Sequence, residues 1–319
     1  MPALHTARIS SFNAARYVAM ACTAVVLLWF YGVQPGFGAE RWSAVSWLMS
    51  SWNAETDYEH AWMVPILAAA MLYQARARIK ASLAGTEGVR WGGLALALFG
   101  AILYVAAFRT VQGRVAIGAL PFILTGAVWF YGGVEAAKRA AFPFFFLWMA
   151  IPLPGFQQAT VGMQLLATQA AHGLAHLFGV PTIVEGTNIL SANGTWDTYS
   201  IAGGCSGMRS LMALLMIATA WAYLSHLSWW KKCVLALSAI PLAIVGNAFR
   251  VGSIFIFAEY VNPAFASKTW HDWSGLLFFF PASLAGLTIL HGLLAGEVPF
   301  LKRRRCVVVQ HRSGEGGKP

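Results

Sequence analysis

The sequence predicts an all-α polytopic transmembrane bundle of about eight helices, with a small extracytoplasmic β-hairpin. Two observations predict the bundle. Of 319 residues, 58% are hydrophobic and 11% charged, and the mean hydropathy is +0.60, well outside the range of water-soluble domains. The apolar runs approach the roughly 20 residues that a helix needs to cross a hydrocarbon core of about 30 Å, and they lack the alternation of a membrane β-barrel. A third observation orients the bundle, because Lys and Arg gather at alternate ends of these runs. The net charge of +10 is thus read as an orientation signal, and no nucleic-acid partner is expected.

Eight spans are expected, near 17–33, 61–75, 91–108, 115–133, 142–156, 206–224, 233–258 and 272–294. With both termini cytoplasmic, the clusters Arg8 and Arg16, Arg76 to Arg90, Lys138 and Arg139, Lys231 and Lys232, and Lys302 to Arg305 fall on one side. Arg41, Arg109, Arg114 and Lys268 run against this bias. The first span reads as a retained anchor, with no small-residue cleavage site. The run at 142–156 is short, and Pro152 and Pro154 end it. Residues 157–178 are weakly amphipathic and are expected along the outer interface. Between 179 and 204, the pair Asn193-Gly194 among β-branched and polar residues signals a hairpin with a tight turn. One membrane domain is expected over 1–319, with a catalytic core at 52–294 and a cytoplasmic tail at 303–319.

Three spans bring polar groups to one depth. Cys205 precedes a helix of about 19 residues, which puts it roughly 28 Å from the cytoplasmic boundary. Arg250 follows Lys232 by about 27 Å of helix. His271 opens the last span, whose far end is basic. A thiol, a guanidinium and an imidazole in one layer are the parts of a cysteine acyl-transfer site: nucleophile, oxyanion stabiliser and general acid/base. The thiolate is the reactive form, and a helix N-terminus with a nearby cation lowers the thiol pKa from about 8.5. Arg209, four residues on, shares the face of Cys205. An arginine inside an apolar span costs about 2.5–3.5 kcal/mol when central, so Arg250 needs a reason. Stabilising an oxyanion, pairing with Glu259 and binding a lipid phosphate all remain open from the residues alone.

Other polar residues have plainer readings. Cys22 and Cys233 read as apolar fillers and Cys306 as an inert tail thiol. His172 and His176 are spaced i, i+4 but lack the glutamate of a metalloprotease helix, so neither metal nor cofactor is expected. His60, His226 and His291 are assigned no partner, and the 14 tryptophans suit an interfacial belt.

The blocks CSGMRSL (205–211), NAFR (247–250) and HDWSG (271–275) resemble, in order, the core pattern of the exosortase/archaeosortase family of membrane cysteine transpeptidases. DYEHAWMVP, FPFFFLWMAIPLP and GVPTIVEGTNIL resemble its minor blocks, so the likeness spans about 52–294. The resemblance implies Cys205 as nucleophile, Arg250 as oxyanion-stabilising or substrate-positioning residue, and His271 as proton-transfer residue. Arg209 and Asn247 would support them. It also implies a secreted substrate protein bearing a C-terminal motif such as Pro-Glu-Pro, a transmembrane helix and a basic cluster. Cleavage would occur at the outer face of the bacterial inner membrane, with transfer to an unknown acceptor. Gly203 and Gly204, just ahead of Cys205, depart from the family pattern and leave fine substrate preference open. The soluble C-terminal domain fused in some members is not seen, so a processing partner is expected to be a separate protein. Two rival readings are a transporter or assembly factor for extracellular polysaccharide, with Arg250 and Arg109 on an anionic substrate, and an intramembrane cysteine protease without acceptor specificity. Arg109, Arg114 and Glu185 either line a substrate entry or face water.

Overall fold

The computed structural model describes residues 16–84, 90–201 and 207–296. Arg8, the run Lys302 to Arg305 and Cys306 lie outside the described residues. The helices are α1 (Arg16–Val33), α2 (Ala44–Ser50), α3 (Met63–Ala84), α4 (Trp91–Arg109), α5 (Gly113–Phe146), α6 (Phe156–Leu177), α7 (Met208–Leu224), α8 (Trp229–Leu237) and α9 (Ala239–Tyr260). The helical run Phe265–Ala295 is α10. Each of the eight expected apolar runs contains helix, but 142–156 leaves it after Ala150 and residues 151–155 are non-helical. Five stretches are long and apolar enough to cross a membrane: Arg16–Val33, Trp91–Arg109, Gly113–Ala150, Trp229–Tyr260 and Phe265–Ala295. Their outward faces carry large apolar side chains, such as Leu98, Phe99, Ile102 and Val105 on α4. Water would penalise such faces and lipid does not. The chain is a multi-pass membrane protein.

Helix α5 contains the expected span 115–133 and the first residues of the next, 142–156. Gly133 has φ +81° and ψ 170°, a conformation open to glycine alone, and it splits the helix into arms 113–132 and 134–146. The arms fold back on each other. Trp148 donates to the Gly118 carbonyl at 3.0 Å, and the Phe122 ring meets those of Phe145 and Trp148. The second arm therefore begins eight residues before the expected 142. It runs through Pro143, which has no N–H for the Arg139 carbonyl four residues back. The Tyr223 hydroxyl supplies that missing donor at 3.4 Å. The first arm packs on α4 through small residues. A Cβ on Gly126 would sit 2.4 Å from the Ala97 nitrogen, and one on Gly93 would sit 2.4 Å from the Phe130 nitrogen, so the two backbones touch.

The two ends of the bundle differ. One gathers Arg78, Arg139 and Lys232 around a cavity, with the C-terminus of α10 nearby, where Lys231 donates to the Leu294 carbonyl at 2.6 Å. The other carries a three-stranded antiparallel sheet, β1 (Thr182–Glu185), β2 (Asn188–Ser191) and β3 (Tyr199–Ser200), in the order β1-β2-β3. The expected hairpin is present, but its turn is not Asn193-Gly194. Glu185 pairs with Asn188, so the two-residue turn is Gly186-Thr187, with Gly186 at φ +64°. Asn193 instead lies in the following loop and donates to Glu259 at 2.7 Å. The sheet packs on the end of α9 and on an alanine stripe of α6 (Ala167, Ala171, Ala175). The ends of α6 are fixed by Tyr58, whose ring meets Phe156, and by Tyr260, which donates to the Phe178 carbonyl.

The last span also differs from expectation, because His271 does not open it. The helix begins at Phe265, and His271 lies between two π-helical segments, Phe265–Trp270 and Gly275–Phe279. The Phe280 N–H bonds the Gly275 carbonyl five residues back. Pro281, without an N–H, cannot complete the four-residue ladder there. Such π segments recur where helices carry functional side chains.

Candidate active site

The site is built where α7, α9 and α10 converge. Gly207, at the start of α7, has φ +77° and lies against Asn247 of α9. A Cβ there would stand 2.6 Å from the Asn247 Cγ, so only glycine permits both the backbone turn and the approach. Asn247 is buried. Arg250, one turn further along α9, shares its face. Its Nη2 donates to the His271 carbonyl at 3.2 Å. Gly275, one turn beyond His271, passes so close that a Cβ would lie 2.9 Å from the Arg250 Nε. The Trp270 indole donates to the Ser253 hydroxyl at 2.8 Å, which donates to the Arg250 carbonyl at 2.6 Å. This strap fixes α10 against α9 beside both residues.

His271 Nδ1 lies 2.9 Å from Asp272 Oδ1. An ionised carboxylate only accepts, so a neutral His271 keeps its proton on Nδ1 and presents Nε2 as the base. A narrow cleft opens here, lined among others by Ser210, Asn247, Arg250, Gly275 and Ser283. Cys205 lies outside the described residues, and so do Gly203 and Gly204. The described chain resumes at Gly207, two residues after Cys205.

Arg209 takes a different environment from the one its spacing suggests. Its Nη1 pairs with Glu59 at 2.9 Å and its Nη2 with Asp57 at 3.2 Å. Two carboxylates compensate one guanidinium, so this side chain brings no net positive charge to the site. Asp57 holds a left-handed backbone, φ +59°, which aspartate tolerates better than most residues. Tyr58 accepts from the Leu153 N–H at 3.1 Å and ties this acidic segment to the loop after α5. His60 is buried beside it. Burial, with the Arg209 charge adding to it, lowers its pKa to about 4. Glu259 is not the counter-ion of Arg250: it accepts from Asn193, Thr195 and Trp196 and closes the loop after β2.

The sequence alone does not single out Asp57, Glu59, Asp272, Ser253 or Trp270 as functional residues. The acidic stretch ETDYEH and the His-Asp dipeptide were the only visible signals. Arg109, Arg114 and Glu185 are exposed. His172 and His176 both clip Thr182 at the start of β1: His172 Nδ1 lies 2.7 Å from its hydroxyl, and His176 Nε2 lies 3.3 Å from its N–H. Among the described residues no group of three or more His, Cys, Asp or Glu side chains is placed to hold a metal ion.

A family model described as transmembrane exosortase (Exosortase_EpsH) matches residues 52–288. No curated protein matches the chain, and no solved structure does.

Proposed function

This chain belongs to the transmembrane exosortase family, and on that premise we propose that it is a membrane-embedded cysteine transpeptidase. It cleaves a C-terminal sorting signal of secreted proteins at the outer face of the bacterial inner membrane, with both termini cytoplasmic. The observation that carries this reading is the contact of Arg250 with the His271 backbone, beside Asn247 packed on Gly207. Residues of three sequence blocks far apart in the chain thereby line one cleft, the first block through Ser210, five residues after Cys205 in the chain.

The chemistry follows from these groups. The His271 Nε2 accepts the Cys205 thiol proton, and the sulfur attacks the carbonyl carbon of the scissile peptide. The Arg250 guanidinium faces the oxyanion that develops, a charge-assisted interaction realised most strongly in the transition state. Collapse breaks the C–N bond, and the imidazolium returns its proton to the leaving amine. The Cys205 thioester is then attacked by an acceptor amine or hydroxyl, or by water, whose proton passes to His271; the C–S bond breaks, and the released sulfur takes that proton back from the imidazolium. Asp272 orients the imidazole throughout. Because Asp57 and Glu59 compensate Arg209, that side chain is not the cation that activates the thiol; proton transfer to His271 generates the thiolate instead. Asn247 supports the turn that precedes α7.

The substrate is a secreted protein ending in a short motif, a transmembrane helix and a basic cluster, the helix lying against the bundle in the bilayer. Co-expression with a tagged substrate of this design tests the reading. The wild type yields the trimmed product, Cys205→Ala yields none, and trimming by Cys205→Ala would remove the nucleophile. Secretion of polysaccharide lost in both Cys205→Ala and Arg250→Ala without any protein cleavage would favour the transport reading.

A further inference from the structure

The opposite end of the molecule holds a second polar cavity, of about 220 Å³, between α3, the second arm of α5 and the junction of α7 and α8. Arg78, Arg139 and Lys232 line it, with His226 beside them and no carboxylate among the described residues of its wall. Neither guanidinium donates to any acceptor among the described residues. Lys232 gives one of its three hydrogens to the Tyr223 carbonyl at 3.2 Å, and Tyr223 in turn donates to the Arg139 carbonyl at 3.4 Å. These bonds fix the backbone from which two of the three cations project. The acids nearest in sequence do not serve here, since Glu135 is paired with Lys138 at 2.9 Å.

Three permanent cations turned toward one space repel each other, and an anion within it relieves that repulsion. The depth is marked by Trp229 and Trp230, both exposed at the start of α8 beside Lys231 and Lys232, a position favoured at the level of lipid headgroups. Basic pockets between helices at that level suit the phosphate of an anionic lipid. Arginine's fork binds two phosphate oxygens at once, while lysine adds a point charge.

We propose that this cavity is a phosphate site, filled by the headgroup of an anionic phospholipid or by the free ion. It does not depend on the proteolytic reading and involves none of its residues. The test uses the full chain in detergent, titrated with dioctanoyl phosphatidylglycerol and separately with inorganic phosphate, binding being read by calorimetry and thermal shift. Arg78→Gln and Arg139→Gln each weaken binding about fivefold, and both together about thirtyfold. Arg78 is exposed and touches no partner, so its variant folds even if Arg139→Gln does not. Arg76→Gln removes the same charge two residues away, from a guanidinium stacked over Tyr73, and changes binding less than twofold. Lipid binding that resists millimolar phosphate assigns the site to the headgroup, and competition by phosphate assigns it to the ion. Equal binding by wild type and the double variant, or no binding of either probe, overturns the proposal.

Discussion

The two ends of this bundle use positive charge in opposite ways. At the sheet-bearing end Arg209 is held by two carboxylates and Arg250 by the carbonyl of His271. At the other end Arg78 and Arg139 have no such partner among the described residues, and Lys231 and Lys232 each make one bond to a carbonyl. A charge that must meet a reacting atom needs a fixed geometry, and partners supply it. A charge that biases orientation or meets a mobile headgroup needs only to be at the right depth. The same residue types are therefore paired at one end and largely unpaired at the other among the described residues.

Two glycines with the same backbone conformation give the sharpest way to break this contrast. Gly207 and Gly296 both have φ +77°, but a Cβ on Gly207 meets Asn247 while one on Gly296 meets nothing within 4 Å. Gly296→Ala should cost only the left-handed penalty of about 1–2 kcal/mol. Gly207→Ala should add about 1–3 kcal/mol of overlap and displace Asn247, and with it substrate trimming. Denaturation in mixed micelles compares the two. Equal losses would mean that the approach to Asn247 is not a constraint.

The ion pairs give a smaller test of the same contrast. Asp57→Asn keeps a residue that tolerates the left-handed backbone and removes only charge from a partly buried pair. A loss of about 2 kcal/mol is expected, between the values of exposed and buried pairs. At the basic end, Glu135→Gln breaks an exposed pair of similar length and should leave the melting temperature unmoved. A loss for Glu135→Gln as large as that for Asp57→Asn would erase the distinction between the ends.

How much of this was legible in the sequence follows from the range of each interaction. Apolar runs are local, so helix is found in each of the eight expected runs, although 142–156 is helical only as far as Ala150. The order of the blocks around Cys205, Arg250 and His271 is also read along the chain, and the structure brings Arg250 and His271 together. Cys205 lies outside the described residues. The hinge at Gly133 was not legible, because a Gly-Gly pair within an apolar run is equally compatible with a continuous membrane helix. The Gly186-Thr187 turn lost to the stronger local signal of Asn193-Gly194, which the contact with Glu259 overrides. Arg209 was assigned by its spacing to Cys205, and its carboxylate partner Asp57 stands 152 residues away. No local pattern reports a contact of that separation. The π segments around His271 depend on which carbonyl each N–H finds, and Pro281 is their one visible cause.

The smallest expected effect is a pH response confined to the Arg209 end. His60 has its pKa lowered to about 4, below the ordinary value of about 6.5 in an unfolded chain. Between these values the unfolded chain binds a proton that the folded chain does not. Stability is therefore complete above about pH 6.5 and falls as the pH drops toward 4. At pH 5.5 the loss attributable to this residue is roughly 1 kcal/mol. Thermal melts of wild type and His60→Gln from pH 7.5 to 5.5 isolate it, since the variant keeps a polar side chain that does not titrate. The wild-type melting temperature should fall further over this interval than that of the variant. Parallel curves would mean that the ring is solvated and that the segment around Asp57 is open to water, as the basic end is. A steeper fall in the wild type would instead place the Asp57, Glu59 and Arg209 cluster over a dry floor, where its charges hold geometry most firmly.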